Sequence, residues 1–184
     1  CSSQLIRNMA TVGGNIARPN AFNVLPPVFT ALDAVVRVET GTGQKNFGLE
    51  DIYSDDFKYA LGRDSIIKEV VIPAKTRNWK CAFEKFAKTL SCWESYVTLV
   101  SALDIKGGIV LTARFVLGAL AARPVRVKSA ERAITGRKLS AETAESAVNA
   151  LACEMDGMRI PPNHLEFKKQ IAVSILKKFL IYVR

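Results

Sequence analysis

The 184-residue chain has one histidine and four cysteines, and no Cys-x-x-Cys pair. Cys1, Cys81, Cys92 and Cys153 lie far apart, and His164 is remote from all of them in sequence. That spacing argues against a structural zinc or an iron–sulfur cluster held by this chain alone. Dispersed cysteines fit free thiols in a reducing cytoplasm, with Cys1 exposed and incidental. Long apolar runs are absent too: Ile171 to Val183 is interrupted by Lys177 and Lys178, so no membrane span is expected. The start, Cys1-Ser2-Ser3-Gln4-Leu5-Ile6-Arg7, lacks the apolar core of a signal peptide. It also lacks an initiator Met, so the gene product is expected to begin further upstream. There is no G-x-S-x-G nucleophile elbow and no P-loop. Gly41-Thr42-Gly43-Gln44-Lys45-Asn46 opens like a dinucleotide fingerprint, but Asn46 stands where the third glycine belongs, and the stretch reads as a hairpin. No internal repeat or low-complexity tract is visible.

What is present is ordinary for a globule. Apolar residues make up 49% and charged residues 23%, which excludes a disordered tail, a collagen-like rod or a coiled coil. The length suits one domain or two small lobes and can bury roughly 70% of the unfolded surface. The net charge of +9 admits an anionic ligand or partner. Its one concentration is Arg123, Arg126, Lys128, Arg132, Arg137 and Lys138, read as a solvated face. No RNP-like aromatic motif accompanies it, so nucleic acid is not expected as a partner.

The pattern predicts an α+β fold. A helix follows Pro26 and Pro27, since proline is tolerated in a first helical turn. Val35 to Glu39 and Gln44 to Phe47 form a hairpin, and Ser65 to Ile72 is a further strand. A loop at Ala74 to Asn78 divides a first lobe, 1–76, from a C-terminal lobe, 77–184. There Ala82 to Lys88, Tyr96 to Ile105 and Ile109 to Leu117 give a three-stranded antiparallel sheet. In the last strand Ile109, Leu111, Ala113, Phe115 and Leu117 are assigned to the core face, and Val110, Thr112, Arg114 and Val116 to a wet face. Trp79 and Trp93 are read as core or edge packing. A small helical bundle packs on this sheet. It comprises Ser129 to Ile134, a helix capped by Ser140, and a last helix opened by an Asn163/Glu166 capping box. His164, beside that cap, is structural or exposed.

The most informative segment is Arg7-Asn8-Met9-Ala10-Thr11-Val12-Gly13-Gly14-Asn15-Ile16. It reads as a tight turn. Its paired glycines would allow positive φ and close approach to a bulky ligand, and successive N–H groups would form an anion nest. Thr11 and Asn15 bracket it with a hydroxyl and an amide. A plain structural turn is the other reading of the same residues.

This segment, with Gln4-Leu5-Ile6-Arg7-Asn8 leading in, resembles the second flavin loop of the FAD-binding medium subunit of molybdenum hydroxylases, Q-I-R-N-x-A-T-x-G-G-N. That family includes xanthine dehydrogenase and carbon monoxide dehydrogenase. The likeness continues in order through Leu32-Asp33-Ala34, Ile66 to Pro73, Ala82-Phe83-Glu84-Lys85-Phe86, Leu117-Gly118, Pro124-Val125-Arg126, Ala130-Glu131 and Glu166-Phe167-Lys168-Lys169. The resemblance implies an electron-transfer flavoprotein with FAD as cofactor, taking electrons from iron–sulfur clusters and passing them to an acceptor. It implies a molybdopterin-containing large subunit and a two-cluster iron–sulfur small subunit as partners. It also places Ala10, Thr11, Gly13, Gly14 and Asn15 along the dinucleotide, Ile66 and Ile67 near the flavin ring, and Lys85 or Glu84 at the ring edge. A solvated strand lysine is the other reading of Lys85, and core packing is the other reading of Ile66 and Ile67.

Three departures stand out. The family's first glycine-rich lobe has no counterpart before Cys1. The family aspartate after the loop falls on Val24, leaving Asn23 beside it as a substitute. The paired arginines after Lys85 are Lys88 and Thr89. The alternative function is an interaction module that keeps the fold without flavin.

Overall fold

A computed structural model describes residues 3–18, 20–53, 61–62, 64–89, 92, 94–121, 123–160 and 162–184, with the side chains of Pro162 and Asn163 left aside. Cys1, Pro19 and Trp93 therefore lie outside the described residues. Two short helices open the chain, α1 (Gln4–Met9) and α2 (Val12–Ala17), followed by α3 (Leu25–Ala31). Pro26 and Pro27 fill the first turn of α3, where missing N–H groups cost nothing. The chain then reverses at Asp33, which takes the left-handed φ of 51°.

The first sheet has the order β2 (Gly43–Gly48), β1 (Val35–Thr40), β3 (Ile66–Val71), all antiparallel. A one-turn helix, α4 (Leu49–Ile52), follows β2. Ile16, Phe29, Val36, Val38, Leu49 and Ile52 fill this lobe's small core. Ala74–Asn78, predicted as a loop, is a 3₁₀ helix carried into the next strand by the extended Trp79.

The second sheet has the order β4 (Lys80–Ala87), β5 (Ser95–Lys106), β6 (Ile109–Gly118), β7 (Val125–Arg126). The three predicted strands are present, and two residues of β7 extend the sheet. Helices α5 (Lys128–Ile134), α6 (Ala141–Asp156) and α7 (Pro162–Val183) cover one face. Ser140 caps α6, its hydroxyl accepting from the Thr143 N–H at 3.2 Å. The last helix begins at Pro162, and the Asn163 side chain expected to cap it lies outside the described residues. Leu99, Leu103, Phe115, Leu117, Leu151, Leu176 and Leu180 form the main core. Burying each such side chain contributes about 2 kcal/mol.

Two expectations for β6 fail together. Asp104 pairs with Thr112 and Ile105 with Val110, so Leu111 is an extra residue, a bulge. The bulge reverses the alternation. Val110 is buried, while Ile109 and Leu111 are 44% and 49% exposed. The second face is also not wet: Val100, Ala102 and Val116 pack against Ala31, Trp79 and Val28. Gly118 allows this closeness, since a Cβ there would stand 2.9 Å from Pro27 Cγ. The seam between the lobes is thus a second apolar core.

Candidate functional site

Thr11 decides the shape of the N-terminal segment. Its hydroxyl accepts from the Gly14 N–H at 2.9 Å and its carbonyl from the Asn15 N–H at 3.0 Å. Both bonds start a helix. The predicted tight turn is therefore a helix–helix junction at Ala10 and Thr11, and the left-handed glycines lie elsewhere, at Gly43, Gly107, Gly108 and Gly136. Gly13 and Gly14 take helical angles, so the nest expected from positive φ does not form. Space is the remaining reason for glycine. A Cβ on Gly13 would meet nothing within 4 Å, while one on Gly14 would stand 2.8 Å from Thr11 Oγ1.

Asn15 and Asn23 act together, but on the backbone. Asn23 Nδ2 donates to the carbonyls of Asn15 and Arg18, each at 2.7 Å. Asn15 Oδ1 accepts from the Leu25 N–H at 3.4 Å. The pair staples the exit of α2 to the entry of α3. Asn23 gains no charge by standing near the family aspartate position, and its amide hydrogens are committed to this clamp.

The α2 segment packs beside β3, where Ile16 of α2 and Ile67 of β3 share the first core. Ile67 is half-buried against the first core, whereas Ile66 is 71% exposed. Leu5, Met9 and Val12 are also exposed, and α1 buries none of its residues. The first lobe thus leaves the apolar side chains of Leu5, Met9, Val12 and Ile66 at its surface. Lys85 stands apart, on β4 in the second lobe. It is half-buried and its amine donates to the Cys92 carbonyl, so it is not a freely solvated lysine.

Two further groups, invisible as a pair in the sequence, hold the lobes together. Arg114 grips Asp33 with Nε at 2.9 Å and Nη2 at 3.1 Å, and Lys75 adds a bond at 2.9 Å. Burial would raise the Asp33 pKa, but the bonds and charges of Arg114 and Lys75 outweigh it and hold the carboxyl below its usual range. Arg126 joins Glu131 at 2.5 Å and Glu50 at 3.7 Å. Glu131 raises the Arg126 pKa against the opposing effect of burial.

Cys81, Cys92 and Cys153 are free thiols, and burial pushes the Cys81 thiol upward. Among the described residues no group of His, Cys, Asp and Glu is arranged to hold a metal, and no helix is long and apolar enough to cross a membrane.

Residues 1–75 match the FAD binding domain in molybdopterin dehydrogenase, and residues 85–183 match the CO dehydrogenase flavoprotein C-terminal domain. The nicotinate dehydrogenase FAD-subunit of Eubacterium barkeri is 30% identical, over 97% of this chain and 62% of its own length. The nicotine 6-hydroxylase medium subunit of Paenarthrobacter nicotinovorans is 24% identical, over 96% of this chain and 61% of its own length. The chain thus spans about three-fifths of these relatives. In fold it is similar to carbon monoxide dehydrogenase from Hydrogenophaga pseudoflava, with a TM-score of 0.84 at 21% identity, covering 96% of this chain and 61% of the other. Quinoline 2-oxidoreductase from Pseudomonas putida 86 gives 0.81 at 21% identity, over 98% and 62%. Two adjoining domain matches in family order, the second covering more than half the chain, carry one conclusion: the chain belongs to the CO dehydrogenase flavoprotein family, the FAD-binding medium subunits of molybdenum hydroxylases.

Proposed function

We propose that this chain holds FAD within a molybdenum-hydroxylase-type oxidoreductase, where electrons arriving from iron–sulfur clusters leave for an acceptor. Its partners in this reading are a molybdopterin-containing large subunit and a two-cluster iron–sulfur small subunit. The carrying observation is the backbone at Gly13, where a Cβ would meet only open space, on a helix that packs beside β3 and its exposed Ile66. A bulky planar cofactor needs close backbone approach next to apolar surface, and both are available there.

When bound, FAD supplies reversible two-electron chemistry. The chain's own residues bind and orient. Ala10, Thr11, Gly13, Gly14 and Asn15 form the rim that faces the dinucleotide, while Asn23 fixes that rim through the Asn15 and Arg18 carbonyls. Ile66 offers its exposed side chain to the ring, and Ile67 supports it from the core side. Lys85 is a fixed positive charge whose direction is set by the Cys92 carbonyl.

The test is FAD titration of the protein in complex with its partner subunits, followed by flavin absorbance retained after gel filtration. Gly13→Val is expected to abolish retention while circular dichroism stays unchanged. Equal flavin content in the variant would remove Gly13 from the site. A colourless, folded wild-type complex would favour the alternative, an interaction module without flavin.

A further inference from the structure

The hairpin joining β5 to β6 lies at the end of the second sheet remote from Lys85. Lys85 pairs with Thr98, and the strand from Thr98 to Lys106 at the tip covers roughly 25 Å. None of the residues assigned to FAD belongs to this end. Its turn, Gly107-Gly108, takes φ of 59° and 77°, the left-handed pair that closes a tight hairpin and fixes its register. Lys106 lies opposite Ile109, and Ile109 lies opposite Lys138 in an isolated bridge. Directly opposed residues share a face of the sheet, so Lys106, Ile109 and Lys138 form one row with about 5 Å between neighbours. The bulge at Leu111 turns a second apolar side chain outward, two positions along the strand from Ile109.

The fold leaves this row unpartnered. Ile109 and Leu111 stay half exposed. Lys106, Arg137 and Lys138 are exposed, and among the described residues their side chains enter no ion pair or hydrogen bond. Elsewhere cations find carboxylates: Arg114 has Asp33, Arg126 has Glu131 and Lys178 has Glu84. The basic concentration read from the sequence is thus divided. Arg126 is neutralised inside the fold, while Arg137 and Lys138 are left at the hairpin end. Asp104 and Glu142 are the carboxylates nearest in sequence, and neither is paired with these cations.

We propose that this row docks an acidic segment of a partner protein in extended conformation, two carboxylates flanking one apolar side chain. In an extended chain, residues two apart face the same side at roughly 7 Å spacing. Carboxylates on either side of the central residue then reach Lys106 and Lys138, while that residue meets Ile109 and Leu111. A second copy of this chain does not fit, because it would bring the same cations and its own net charge of +9. A fluid layer of anionic headgroups needs cations but no fixed row. The register held by the tight turn favours an ordered partner. The inference goes beyond flavin binding and stands whether or not the chain holds FAD.

The probe is a synthetic peptide repeating glutamate-serine-leucine-serine, titrated into the full chain and followed by amide NMR shifts at Gly107, Gly108 and Lys138. Saturation is expected at millimolar concentration or below. Lys106→Gln, Lys138→Gln and Leu111→Ser should each weaken binding about fivefold, the worth of one exposed ion pair or one half-exposed apolar side chain. All three side chains are exposed, so the melting temperature should stay near that of wild type. Added salt should weaken the wild type more than the variant lacking both lysines. Absence of a saturable shift below about 10 mM would overturn the proposal. So would wild-type affinity in all three variants, or equal binding of a peptide with serine in place of leucine. Tighter binding to phosphatidylglycerol vesicles than to the peptide, lost in the same variants, would overturn it in favour of a membrane surface.

Discussion

Gly13 occupies a helical turn in which alanine would be the better residue. Glycine costs roughly 1 kcal/mol relative to alanine in a helix. A Cβ at position 13 points into open space, so nothing in the folded chain calls for that cost. Gly13→Ala is therefore expected to raise thermal stability by up to about 1 kcal/mol and to lower FAD affinity, read from melting curves and flavin titration on one preparation. A variant that gains stability and keeps full affinity would make the glycine incidental. Gly14 allows no such separation, because its substitution strikes the Thr11 hydroxyl that caps α2. At this scale the paired glycines were plain in the sequence, but the geometry expected of them was wrong. Two glycines advertise positive φ, yet Thr11 three positions before Gly14 is equally a helix N-cap, and the cap prevails. Asn23 was visible near the family aspartate position. That its amide is committed to two backbone carbonyls depends on a fold-back over Asn15 and Arg18 that no local pattern encodes.

Asp33 links the end of α3 to the middle of β6, 81 residues further along the chain. Its left-handed backbone tolerates asparagine as well as aspartate. Asp33→Asn thus removes the charge while keeping the turn. Losing the charged pair with Arg114 is expected to cost about 2 kcal/mol at neutral pH. The sign with pH follows from the direction of the shift. The folded-state pKa lies below the unfolded one, so the stabilisation is complete above the unfolded value of about 3.9 and is lost as pH falls through the folded value. Urea midpoints should therefore separate wild type from variant at neutral pH and converge in strong acid. A deficit that persists unchanged in acid would assign it to the turn rather than the charge. Elements themselves were largely legible, because β-branched runs, glycine turns and the Ser140 cap are local signals. The β6 bulge at Leu111 was not. Strict alternation assigned Ile109 and Leu111 inward, and only pairing with β5 shows that one residue has been inserted.

The lobes meet along Val28, Ala31, Trp79, Val100, Ala102 and Val116, with Gly118 giving Pro27 room to approach. That seam was illegible because each of its sides reads alone as the half-polar face of a sheet or the back of a helix. Arg114 and Thr112 made the outer face of β6 look wet; in the fold Arg114 is neutralised by Asp33, and the neighbouring valine is buried. A dry seam reinforced by ion pairs makes the halves one cooperative unit rather than two lobes on a linker. The consequence is measurable by native-state hydrogen exchange. Amides of β1, central in the first sheet, should open with the same free energy as those of β5, central in the second, because both require global unfolding. Val116→Ala, which removes two methyl groups from the seam, is expected to lower both values together by about 2 kcal/mol. If β1 exchanged well before β5, or if the variant lowered β1 alone, the first lobe would be an independently opening unit. The proposed FAD rim at Thr11–Asn15 would then have to be ordered by the proposed partner subunits rather than by this seam.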